Sequence, residues 1–73
     1  MNIDEEILNG IEMDLENGMG YCESFRRYDF KEEEFSDVLK CLKEWEIKYF
    51  GEMMEDDIEA FGKEDRKLLE KYY

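Results

Sequence analysis

The side chains of this sequence that could do chemistry are nearly all carboxylates. Asp and Glu supply 22 of its 73 residues; beside them stand Cys22, Cys41, Ser24, Ser36 and five tyrosines. Three kinds of carboxylate site can be tried against the spacing. An EF-hand loop needs oxygen ligands at fixed positions, Gly at the sixth and Glu at the twelfth. A loop begun at Asp57 places Gly62 correctly, but it puts Phe61 at the fifth position and Leu68 at the twelfth. A carboxylate di-metal centre is completed by Glu-x-x-His pairs, and the chain has no His. Two opposed carboxylates can hydrolyse a glycoside, but that reaction needs a cleft that 73 residues hardly supply.

The missing His also removes the imidazole that acts as general base or activates a Ser or Cys nucleophile. A zinc site takes four ligands, and two cysteines 19 residues apart supply only half of them. Cys41, next to Leu42, reads as an inert helix residue, whereas Cys22 falls in a segment where a thiol can reach solvent. The expectation is therefore a protein that is not an enzyme, with no catalytic residue, no metal and no cofactor.

Positioning any site requires a fold, and the chain offers material for one small domain, residues 1–73. A domain of this size buries only about 60% of the surface its unfolded chain exposes, so its core is thin. There is no Pro, and the two cysteines allow at most one disulfide. The opening Met-Asn-Ile-Asp-Glu-Glu has neither the basic nor the apolar region of a signal peptide. No apolar run approaches the roughly 20 residues of a membrane span. A cytoplasmic protein with reduced thiols is expected. High charge can signal disorder, but eleven aromatics and many Leu, Ile and Met residues are available here for a core.

The apolar spacing predicts an all-α bundle of three to four helices, over about 3–17, 30–50, 52–61 and 63–73. Ile3, Ile7, Leu8, Ile11 and Leu15 trace one helical face, with Asn2 as N-cap and Asn17-Gly18 as the stop. Gly10 weakens that helix by about 1 kcal/mol relative to Ala. Phe35, Val38, Leu39, Leu42, Trp45, Tyr49 and Phe50 form a second stripe behind a candidate cap at Asp29, with Ile47 lying off it. Met53, Met54, Ile58, Phe61, Leu68, Leu69 and Tyr72 form a third, interrupted by Asp65 and with a break expected near Gly62. Residues 19–30 fit no period well. They read as a loop, with an optional short extended segment at 19–28 that would pair with 45–50 in a hairpin. The middle helix, nearly neutral, is the expected centre of the bundle.

The charge is formally −12 and uneven. Residues 1–25 carry seven acids and no base, residues 26–50 seven acids and six bases, and residues 51–73 eight acids and four bases. Such a surface repels phosphates, so neither direct nucleic-acid binding nor an anionic membrane is expected. The acids have a plain use in keeping a small protein soluble. Yet −12 on so thin a core costs stability through self-repulsion. A basic protein partner would give that charge a purpose. Carboxylates one helical turn apart recur about every 5–6 Å and approximate a row of phosphates. The nominated partner-binding residues are Asp4, Glu5, Glu12, Asp14 and Glu16 on the first helix, with Glu55, Asp56, Asp57 and Glu59 as a second cluster. Met13, between Glu12 and Asp14, lies off the apolar face and is a further contact candidate. Arg26-Arg27 is read as neutralising acids within the protein.

In length, charge and helical acid/aromatic composition the chain is similar to the small acidic proteins with which bacteriophages and mobile elements inhibit host nucleic-acid-binding proteins. That resemblance carries no motif and transfers no residues. It implies a stoichiometric inhibitor or DNA mimic whose partner is a polymerase, nucleoid protein, repair enzyme or CRISPR effector. The competing expectation is a small helical adaptor or homodimer, in which a second copy buries what a thin core leaves out.

Overall fold

A computed structural model describes residues 2–52 and 61–72. Within them the chain is an all-α bundle of four helices with no strand: α1 (Glu5–Glu16), α2 (Tyr21–Arg27), α3 (Phe35–Phe50) and α4 (Lys63–Tyr72). A 3-10 turn at Glu32–Glu34 leads into α3. No helix among the described residues is long and apolar enough to cross a membrane. The helix expected at 52–61 falls almost wholly outside the described residues. A new helix does begin at Lys63, directly after Gly62.

The segment expected to be a loop or short strand is the structural hub. Residues 21–27 form a helix that packs against α1, α3 and α4. Tyr21, Cys22, Ser24 and Phe25 are all buried in it. Its pattern looks irregular because neighbours on several sides leave only a narrow solvent stripe, so the usual alternation of faces is lost. Cys22, in the segment read as a loop where a thiol could reach solvent, is only 2% exposed. α3 is thus not the sole centre, although Phe35, Val38, Leu39 and Leu42 supply much of the core with Leu8, Ile11, Leu68 and Leu69.

Tight turns close α1 and α2 and satisfy their ends. At the close of α1 the Met19 N–H donates to the Asp14 carbonyl and the Gly18 N–H to the Leu15 carbonyl, both at 3.0 Å. This paired closure needs a left-handed residue, and Gly18 supplies it at φ 90°. α2 closes the same way, with Phe30 donating to Phe25 and Asp29 to Arg26 at 3.1 Å. Here the left-handed residue is Asp29, at φ 62°. Asp29 therefore ends α2, and does not cap the helix that follows. At the start of α1, Asp4 takes the place expected for Asn2, its carbonyl accepting from Ile7 and Leu8.

Candidate functional site

α1 presents two sides. Leu8 and Ile11 are buried, with Ile3, Ile7 and Leu15 packed beside them. Glu5, Glu6, Asn9, Met13 and Glu16 are exposed, and the last four recur at steps of three and four, so they share one outward face. Met13 is 55% exposed in the middle of it.

The nominated acids divide sharply. Asp4, Glu5 and Glu16 are exposed. Glu5 is tied down at its edge: it accepts from the Tyr49 hydroxyl and lies 3.8 Å from Lys48 Nζ, joining α1 to the end of α3. This bond raises the Tyr49 phenol above its ordinary range. Asp14 is not displayed at all. It is 8% exposed, accepting from Ser24 Oγ at 2.9 Å and pairing with Arg27 Nη1 at 2.6 Å. The reason lies in its spacing: three residues past Ile11 and seven past Ile7, it shares their face and meets α2. Glu12 is half-buried, with Oε2 sealed from solvent. The expected unbroken row of carboxylates along α1 is thus broken in its middle. Glu55, Asp56, Asp57 and Glu59 lie outside the described residues. Glu6, not nominated, belongs to the outward face.

The doublet Arg26-Arg27 acts internally, as its surroundings suggested. Arg27 holds Asp14, while Arg26 bridges Glu32 at 3.0 Å and Glu64 of α4. The guanidinium in turn holds the Glu64 carboxyl below its usual range. Arg26 also lies over the Phe35 ring, 5.4 Å from its centroid.

Four buried ionisable or polar groups escaped the sequence reading as structural elements. Asp65, seen only as a polar interruption, is 6% exposed and caps α2 from another helix. Its Oδ2 accepts from the Tyr21 N–H at 2.6 Å and its Oδ1 from the Cys22 N–H at 3.0 Å. The local cap, Gly20, has no side chain to do this. A Cβ there would stand 2.5 Å from Asp65 Oδ2, so glycine is what admits the carboxylate. Burial first, and Asp65 next, push the Cys22 thiol up to about 12, which leaves it without nucleophilic character at neutral pH. Lys43 and Glu46, on the inner side of α3, are 0% and 1% exposed, with Ser24 equally buried. The signal for Lys43 and Glu46 was present: they stand four residues past Leu39 and Leu42, on the apolar stripe. Trp45 is only partly buried, and Tyr49 and Phe50 are exposed, the one tilted against it and the other edge-on, at centroid distances of 5.3 and 5.5 Å.

One groove of about 470 Å³ opens between α2 and the start of α4, lined by residues that include Gly18, Gly20, Arg26 and Asp65. Arg26 and Asp65 are already engaged there with the protein's own groups. Among the described residues, no group of three or more His, Cys, Asp or Glu side chains could hold a metal ion. Comparison of the chain with protein-family models, with curated proteins and with solved structures gives no match.

Proposed function

We propose that this protein is a non-enzymatic binding module that docks on a basic, nucleic-acid-binding protein and occupies the surface where that partner receives phosphates. The observation that carries the reading is the outward face of α1. Exposed Met13 stands there between Glu6 and Glu16, and residues 1–25 contain no base to compete for them. A flexible thioether serves as an adaptable apolar anchor, while surrounding carboxylates steer a cationic partner into place. The internal use of Arg26 and Arg27 supports the same reading, because it withdraws those cations from the acidic surface.

The partner is a polymerase, nucleoid protein, repair enzyme or CRISPR effector, met in the cytoplasm in the manner of a phage inhibitor of its host. The protein itself touches neither nucleic acid nor membrane. The decisive experiment is displacement of labelled DNA from basic partners at low and high salt. Displacement that weakens steeply with salt supports the reading, and a Glu6→Lys/Glu16→Lys variant should bind roughly tenfold or more weakly. Failure to displace DNA from any such partner, even at low salt, removes it.

A second reading rests on a different surface. Ile47, Tyr49 and Phe50 are each about half exposed near the end of α3, and a second copy of the chain would cover them in a helical adaptor or homodimer. Sedimentation at micromolar concentration separates the two: a strict monomer excludes the dimer.

A further inference from the structure

The outer side of α3 is a surface separate from the acidic face of α1. Asp37, Lys40, Glu44, Ile47 and Lys48 are all exposed along it. The first four follow at steps of three and four, and Lys48 comes one turn after Glu44, so they share the side turned away from buried Val38, Leu39 and Leu42. Two acids and two bases make this stripe neutral, in a chain of charge −12. Among the described residues no ion pair holds Asp37, Lys40 or Glu44.

Such neutrality matters when like chains meet. α1 turns Glu5, Glu6 and Glu16 outward with no base among them, so two copies of that face repel. On α3 the charges alternate along the helix: acid, base, acid, base. Read in reverse, the order is base, acid, base, acid. A parallel copy would set like against like, whereas an antiparallel copy sets opposite charges together. The register follows from the spacing. Asp37 and Lys48 stand equally far on either side of the Leu42–Lys43 peptide, and Lys40 and Glu44 equally far on either side of Leu42. One two-fold axis beside Leu42 therefore brings Asp37 to Lys48 and Lys40 to Glu44, each pair occurring twice. Ile47, 47% exposed, then lies along the aliphatic stem of the other copy's Lys40.

We propose that α3 is a self-docking helix, its outer side pairing antiparallel with the same side of a second copy of the chain. The proposal rests on the second reading above in requiring that second copy, but it moves the contact. Ile47 lies in the seam, whereas Tyr49 and Phe50 turn toward Trp45 and stay outside it. Exposed ion pairs contribute little affinity. Here they set direction and register, and the pair is held loosely.

The central pair carries the test, because Lys48 already lies 3.8 Å from Glu5 of its own chain. Sedimentation equilibrium of the full-length chain is followed from micromolar to millimolar concentration, with circular dichroism showing that each variant stays helical. The wild type should give a monomer–dimer equilibrium. Lys40→Glu should weaken it roughly tenfold or more, and so should Glu44→Lys, although the first adds negative charge to the chain and the second removes it. The two substitutions in one chain should restore the wild-type constant. Opposite effects of the single variants would assign association to net charge and overturn the seam. So would a dimer indifferent to both, or one that the double variant leaves weakened. Any of these three results leaves the second reading standing, with its contact elsewhere. A wild type that is monomeric throughout overturns the seam and the second reading together.

Discussion

α1 and α2 bury their residues in different ways, and the difference explains what each looks like in sequence. α1 has twelve residues, an apolar inner side and an acid-edged outer side. α2 has seven residues, of which Tyr21, Cys22, Ser24 and Phe25 are buried. Periodicity measures how one-sided burial is, not how deep it runs. The two helices also differ in how they begin. Each begins on the carbonyl of its own cap residue, Asp4 in α1 and Gly20 in α2, but only α2 also has its first N–H donors met by a carboxylate, brought from α4.

This contrast can be broken by mutation. The largest effect should come from Phe25→Ala, which empties a fully buried site in α2. A loss of about 3–5 kcal/mol is expected, enough to unfold a domain this small. Leu15→Ala, at a partly buried position of α1, should cost less than half as much in urea denaturation. Equal losses would mean that α2 is not the hub. Next in size is Asp65→Ala, which strands two N–H donors at the start of α2. It should cost about 2–3 kcal/mol and speed labelling of Cys22 by thiol reagents. Asp4→Ala removes no side-chain cap bond and should stay within about 0.5 kcal/mol of wild type. If the two aspartates cost the same, the long-range cap has no special weight. The smallest change is a gain. Asp29→Gly relieves a left-handed residue at the end of α2 and should stabilise by about 1 kcal/mol. No gain would mean that the Asp29 side chain offsets its own strain.

The all-α fold, the extent of α1, the end of α3 and the start of α4 after Gly62 were legible because each follows repeating apolar steps; the start of α3, expected near residue 30, comes at Phe35, behind the 3-10 turn at Glu32–Glu34. α2 was not, although Tyr21, Phe25 and Tyr28 stand at i, i+4 and i+7. Glu23 interrupted an apparent alternation, and Ser24 hid a buried position behind a polar side chain. The acidic character of the surface was equally plain, but which acids reach it was not. Asp14, Glu46 and Asp65 sit at positions continuous with apolar stripes. Whether such a carboxylate tilts into water or turns inward depends on its partners: for Asp14 and Asp65 these are distant in sequence, Arg27 and the N–H groups of α2, whereas Glu46 meets Lys43 three residues back on its own helix. For Glu55, Asp56, Asp57 and Glu59 the question lies outside the described residues.

The cap that Asp65 places on Tyr21 spans 44 positions of the chain, and this bears on how the protein is made. A ribosome adds roughly 5–20 residues per second, so about 2–9 s pass between translation of the two ends of that contact. During that interval α2 keeps its first donors in water, and the apolar side of α3 lacks the cover of α4. Seven acids without a base among the first 25 residues repel neighbouring nascent chains throughout that exposure. The charge concentrated in residues 1–25 thus keeps unfinished polypeptides apart.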